Sequence, residues 1–418
     1  MSLNAGPHAP QLHGAHILLF AHNAWNEVWR NNQHIASRLA HENVVLYVEP
    51  KIYPLAKLRR GQVPKAEWTQ PRLTHAQDGL WLYRHPVWAP RMPAKRGLDG
   101  VMRRLRRAAL QHVMRQLKFN QNFISWTYQP KDSELTGQMG ESLIIYSIVD
   151  EYAAFGHQTP EKQRFIRERE RELLRMADIV FVTSPALFES KSPHNPHTVW
   201  VPNGVDFTLF EKAWRANAPL PEDIARMPRP IVGYSGHISG RLNLPLLAQL
   251  AQRRPEWSFA LVGSVWETNA EAQFAALRQL PNVHFLGQKS AAQVPYYISA
   301  FDVALIPYHQ NEESRNINPI KLYEYLALGK PIVSVDIPAL NGFRHMVRIG
   351  DSVEAYSTQI QAALTENSPS LVSERRQLAA ANTWDQRAEQ ISRLVRMRWE
   401  AKLAEKQSSI SLSTHVAA

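Results

Sequence analysis

Two doubly wound, Rossmann-like α/β domains facing a central cleft are what this sequence predicts. Short apolar runs of strand length alternate with helical patterns through most of the chain, the arrangement that gives parallel sheets covered on both faces. The alternation breaks once, near the middle, at a turn-forming and then proline-rich stretch. The 418 residues, 44% of them apolar, suffice for two domains that each bury a core.

In the first half the expected strands are 16–22, 44–48, 80–84, 123–126, 143–149, 179–183 and 199–201, with helical patterns at 33–41, 98–118 and 161–176. The second half repeats the scheme with strands at 231–234, 259–262, 283–286, 303–306 and 332–335. A ligand cleft is expected at the strand ends between the two sheets. Pro202-Asn203-Gly204-Val205-Asp206 carries turn chemistry, and the polar, Pro-rich segment after it reads as a linker. The expected organisation is an extension at 1–14, a first domain at 15–204, a linker at 205–229, a second domain at 230–381 and an amphipathic helix at 382–406. That helix carries Trp384, Ala388, Ile391, Leu394 and Val395 on one side, and the small, polar tail 407–418 is expected to be disordered.

The chain has no cysteine, so disulfides and thiolate metal sites are excluded, and a reducing cytoplasm fits. No run approaches the ~18 apolar residues of a membrane span, and no charged start leads into an apolar core. The net charge is +11. Residues 51–118 hold sixteen Lys/Arg and three Asp/Glu, a balance of +13. Within them, Val101, Met102, Leu105, Ala109, Val113 and Leu117 follow helical spacing, and Arg103, Arg104, Arg106 and Arg107 decorate other faces. Such a helix either covers the first sheet or attaches the protein peripherally to an anionic membrane surface. The charge also permits nucleic-acid binding, but no helix-turn-helix, aromatic ribonucleoprotein or zinc-ligand pattern accompanies it, so no nucleic acid is expected. No dinucleotide fingerprint follows the first strand, which argues against a nicotinamide dehydrogenase.

The most informative segment is 316–336. Asn318 suits an N-cap and Pro319 the first helical position, Gly329 a left-handed stop, and 332–335 a buried strand. The expected helix is about three turns long. Lys321 and Glu324 share one face of its first half, where a lysine, free amides and the helix dipole suit a phosphate and a carboxylate suits sugar hydroxyls. A solvated i,i+3 ion pair is the structural alternative. Upstream, the glycines of 233–241 let backbone approach a ligand, and Arg241 suits a diphosphate. In the first half, Asp150 directly follows a buried strand. It is placed either to deprotonate a hydroxyl or to cap the next helix, with Glu151 as the alternative base.

The segment 318–335 resembles the donor-site signature of GT-B glycosyltransferases, in particular the large retaining family 4 group. The resemblance extends to Asn-Gly-Val-Asp at 203–206, the Gly-rich turn at 233–241 and the strand end at 145–155. It implies a GT-B fold, with an acceptor domain at 15–204 and a nucleotide-sugar domain at 230–381. It gives Glu324 the ribose of a nucleoside diphosphate sugar, a UDP-sugar by preference, and Lys321 its phosphates, with Gly236, His237 and Arg241 alongside. Asn316 stands where the family usually has a second glutamate, and His237 where many relatives have arginine. His22, Trp25, Asn26 and His34 lie where relatives contact acceptor or donor sugar, although either histidine also suits a structural role. The acceptor implied is a lipid-linked or polysaccharide hydroxyl. The sequence contains no Asp-x-Asp to hold a divalent cation on the diphosphate, so neither a metal nor a cofactor is expected. A GT-B nucleotide-sugar epimerase is the alternative within this architecture.

Overall fold

The computed structural model describes residues 9–416 apart from 93–95, 120–121, 156–157 and 217. Each half of the chain forms a sheet. The first contains β1 (His16–Phe20), β2 (Val44–Val48), β3 (Leu73–Gln77), β4 (Leu80–Tyr83), β5 (Phe123–Thr127), β6 (Leu143–Ile148), β7 (Ile179–Val182) and β8 (Thr198–Trp200). Their order is β3-β4-β2-β1-β5-β6-β7-β8, parallel except for β3 at the edge. In the second half, β9 (Ile231–Ser235), β10 (Ile238–Ser239), β11 (Ser258–Val262), β12 (Val265–Trp266), β13 (Val283–Gly287), β14 (Val303–Ile306), β15 (Ile332–Ser334) and β16 (Val347–Ile349) follow. Six of them form the parallel sheet β13-β11-β9-β14-β15-β16, and β10 pairs with β12. The central strands are apolar runs buried along their length, as a sheet covered on both faces requires. Strand order reverses around β1 and around β9, which opens a crevice at the carboxyl end of each sheet.

The stretch 205–229 is not a loose linker. It forms helices Phe207–Ala216 and Glu222–Ala225, and Phe210, Ile224 and Met227 enter the second core. Past the second sheet, Trp384, Ala388, Ile391, Leu394 and Val395 fill the first core beside Leu12, Ile35 and Leu39. Ser392 Oγ accepts the Leu12 N–H at 2.8 Å. Helix Trp384–Val416 runs through 407–416, where composition suggests a disordered tail. No Gly or Pro interrupts it, and each added residue of an existing helix gains a bond without a new nucleus. Residues 1–8 of the N-terminal extension, and 417–418 of the tail, lie outside the described residues.

The two halves are keyed together by asparagines. Asn203 N–H donates to Asn318 Oδ1 at 2.8 Å, Asn203 Nδ2 donates to Asn318 O at 2.7 Å, and Asn31 Nδ2 donates to Asn203 Oδ1 at 2.9 Å. Asn203→Ala strips partners from buried polar groups, and we expect it to cost about 2 kcal/mol of stability. A urea-unfolding midpoint equal to wild type would refute this.

Helix Arg96–Gln116 corrects one expectation. Arg106 is buried inside it, while Val101 and Leu105 face outward. The reason is Glu134, whose carboxylate meets the Arg106 guanidinium at 2.9 Å and fixes the helix about its axis.

Candidate active site

Helix Ile320–Ala327 starts one residue later than its sequence suggests, with Pro319 as N-cap. The Asn318 side chain is engaged by the Asn203 backbone and by the Tyr323 hydroxyl, so it does not cap. Gly329, at φ +63°, ends the helix after eight residues, just over two turns. The first bond within it is donated by Leu322 to Pro319, which leaves the Ile320 and Lys321 N–H groups facing outward along the axis. This start is pinned to the end of β9, where Ser235 N–H donates to the Tyr325 hydroxyl at 2.9 Å. Gly236, at φ +138°, passes so near that a Cβ there would lie 3.4 Å from Lys321 Nζ. Gly263, at φ +147°, presses on Gly236 from the other side, where a Cβ would lie 1.8 Å from its carbonyl oxygen.

Lys321 and Glu324 do not pair with each other. Lys321 Nζ donates to the Tyr308 hydroxyl at 2.6 Å and lies 5.1 Å from the Tyr234 ring centre. Glu324 has no hydrogen bond or ion pair among the described residues. Burial pushes its carboxyl up to about 7, with Lys321 pulling the other way.

Across the cleft, Asp150 follows β6. Burial raises its carboxyl above the usual range although Arg241 opposes this. It caps no helix, because the one-turn helix Tyr152–Ala154 starts at Glu151 without a side-chain cap. Arg241 Nη2 lies 4.0 Å from Asp150 Oδ1 and 2.6 Å from Glu313 Oε1. Arg241 therefore spans the cleft, clasped by Glu313, instead of standing open for a diphosphate. Glu151 is also corrected: Lys191 holds it at 2.6 Å and Glu170 at 2.9 Å, an ion-pair network that occupies its carboxylate.

The remaining sequence candidates separate. His22 is at the cleft, held by Gln129 at 2.6 Å, Arg30 at 3.1 Å and Tyr152 at 3.3 Å. Burial, helped by Arg30, Lys131 and Arg241, lowers it to about 3 and keeps it neutral. Trp25 belongs to the first core, edge-on to Tyr47, and His34 stacks on Trp384 at 4.8 Å. Both pack structure instead of lining the cleft. Asn26 is exposed in the loop after β1. His237 is exposed, with Nδ1 2.9 Å from Ser264 Oγ. Asn316 donates to Glu312 O at 2.8 Å and lines an interdomain crevice of about 920 Å³ with Glu189, Gln310 and Asp336.

Sequence reasoning missed Arg30, Tyr308 and Glu313. Arg30 is close enough to depress the imidazoles of His22 in its own domain and His237 in the other. Its signal was faint, a lone arginine at the start of helix Asn31–Leu39. Among the described residues no group of three or more His, Asp or Glu side chains could hold a metal ion, and no helix is long and apolar enough to cross a membrane.

Paired parallel sheets with this crossing helix are a GT-B fold, and residues 230–366 match the family described as Glycosyl transferases group 1. Over the whole chain the fold is that of sucrose-phosphate synthase from Thermosynechococcus elongatus, with TM-score 0.69 and 18% identity over 93% of this chain and 100% of that one. Anabaena HepE, solved with UDP and glucose, gives TM-score 0.63 and 14% identity over 92% and 99%. WaaG, a glycosyltransferase involved in lipopolysaccharide biosynthesis, gives 0.59 and 14% over 90% and 98%. In sequence the chain is similar to the glycosyltransferase TuaH of Bacillus subtilis (strain 168), ascribed to teichuronic acid biosynthesis, at 27% identity over 237 residues. That match takes in 54% of this chain and spans 58% of the relative's length.

Proposed function

We propose that this chain is a glycosyltransferase that moves a sugar from a nucleoside diphosphate sugar, by preference a UDP-sugar, to a hydroxyl of a lipid-linked or polysaccharide acceptor. It acts without a metal, with retention at the anomeric carbon, in the cytoplasm at the inner face of a membrane. The observation that carries this reading is Glu324, a partnerless carboxylate beside Lys321 at a helix start, across the cleft from Asp150. Glu324 accepts the ribose hydroxyls, while Lys321 and the first-turn N–H groups hold the diphosphate. Arg30 adds a cation from the opposite wall, and together these groups neutralise the leaving charge. Asp150 takes the acceptor proton as the acceptor oxygen bonds to the anomeric carbon on the same face from which the diphosphate leaves, as retention requires. The diphosphate departs with the electron pair of the broken C–O bond. Gly236, His237 and Asn316 border the transferred sugar, and His22 orients the acceptor. The likeness to TuaH supports a polysaccharide acceptor.

A thermal-shift panel of UDP-, GDP- and ADP-sugars tests the donor. UDP-sugars are expected to raise the melting temperature most, and no shift with any of them would remove the reading. A second expectation concerns pH. Glu324 is protonated below about 7 and ionised above it, and the ionised form is the better acceptor for two hydroxyls. UDP affinity should therefore rise as the pH passes through about 7, and Glu324→Gln should abolish that step. Calorimetry on either side of neutrality that finds the same step in the variant would assign it to another group.

A further inference from the structure

Two carboxylates, one from each domain, share a single guanidinium in the cleft. Arg241 Nε and Nη2 both reach Glu313 Oε1, at 2.7 and 2.6 Å, and Nη2 stands 4.0 Å from Asp150 Oδ1. The guanidinium carbon also lies 5.7 Å from the centre of the Phe155 ring. Asp150 and Phe155 belong to the first domain, Arg241 and Glu313 to the second, so an arm of the donor half ends against the acceptor half. Neither the donor groups at the helix start nor the acceptor wall makes use of it.

The second domain builds this arm in advance. Asn243 N–H donates to Pro307 O at 2.8 Å and His309 N–H to Arg241 O at 3.2 Å, which zips the turn carrying Arg241 to the loop after β14. In that loop Asn311 caps the one-turn helix Glu312–Arg315, and Glu313 sits in its first turn. Backbone therefore fixes both ends of the Arg241–Glu313 pair, and the guanidinium is aimed within its own domain. A diphosphate would have to displace Glu313 to use Arg241, whereas Lys321 stands against the neutral Tyr308 hydroxyl.

Asp150 needs such a partner. A carboxyl takes a proton only in its ionised form, and burial at the end of β6 favours the protonated one. Arg241 is the strongest cation opposing that burial, Glu313 works against it, and Arg30 and Lys321 add smaller pulls toward ionisation. Burial keeps the Tyr152 phenol protonated beside it, and the neighbouring Glu151 is taken by Lys191. We infer that Arg241 is a positioning residue for sugar transfer: aimed by Glu313, it supplies across the cleft the counter-charge that holds Asp150 ready to accept a proton. Asp150 thus has this counter-charge only where the two domains meet. The inference rests on the proposed transfer reaction for its purpose, but its test needs neither sugar nor acceptor.

The test is an NMR titration of the full chain, isotope-labelled at the aspartate side-chain carboxyls, with the Asp150 signal identified by its loss in Asp150→Asn. Arg241→Gln should raise the Asp150 midpoint by about one to two pH units, which lowers the ionised fraction below both midpoints by about 10–100-fold. Glu313→Gln should move the midpoint the opposite way, since an opposing charge is removed and Arg241 is released toward Asp150. Arg241→Lys keeps the charge and should restore part of the wild-type midpoint. UDP affinity of Arg241→Gln, measured by calorimetry, should stay near wild type. Thermal melting checks that each variant is folded, and Glu313→Gln keeps the inference open to refutation should Arg241→Gln not fold. An Asp150 midpoint unmoved in Arg241→Gln, or moved the same way in both variants, would overturn the inference. So would a loss of UDP affinity in Arg241→Gln with the midpoint in place, because the arginine would then serve the diphosphate. Opposite shifts in a protein that transfers no sugar would leave Arg241 as the partner that charges Asp150 and remove only the reaction.

Discussion

Asp150→Asn is expected to lower turnover by about 10²–10⁴-fold while nucleotide binding stays near wild type. The substitution keeps the size of the side chain and removes only its capacity to take a proton. Because burial outweighs Arg241 in setting the Asp150 carboxyl, the acid limb of the wild-type turnover profile should lie above the usual carboxylate range. That limb should vanish in the variant. Full transfer activity in Asp150→Asn would move the proton to another acceptor, and Glu151 is poorly placed to be it because Lys191 occupies its carboxylate. Donor affinity measured in parallel separates a chemical defect from a binding one.

The second large effect is expected at Lys321. Its ammonium stands at the helix start between Tyr308 and the Gly236 turn, so Lys321→Ala removes the cation proposed to hold the diphosphate. Loss of a charge-assisted hydrogen bond costs about 1.5–3 kcal/mol, which corresponds to roughly 10–150-fold weaker UDP binding. Lys321→Arg should recover little, since the space beside Gly236 suits a compact ammonium and not a planar fork. Calorimetry giving wild-type affinity for Lys321→Ala would take the phosphate role away from this helix.

The two sheets were legible because their central strands are apolar runs that only a doubly covered sheet can bury. The edges were not: β3 reads Leu-Thr-His-Ala-Gln and β16 has three residues, too little apolar pattern to register. Helix Ile320–Ala327 was readable from its glycine stop and apolar face, yet its N-cap was misread, since Asn318 serves a partner 115 residues away in sequence. The same limit explains the site. Lys321 and Asp150 stand at element ends and Glu324 one turn into its helix, where local pattern points to them, and the structure brings them to one cleft. The state of Arg241 and Glu151 depends on Glu313 and Lys191, which only folding brings beside them. Arg106 was placed outside because an arginine at a helical position reads as solvent-facing until its buried acid is known.

The crossing helix has a bearing on how the protein is made. Trp384, Ala388, Ile391, Leu394 and Val395 form part of the first core, although they are synthesised after the whole second sheet. A nascent chain that has released residues up to Asn203 holds a sheet with part of one wall missing, its apolar face open to water and to other chains. The second domain, whose core is drawn from residues 205–379, can close while the first still waits. Completion of the N-terminal domain is thus a late event, and a truncated product ending before Trp384 is a substrate for chaperones and proteases more than a free-standing module.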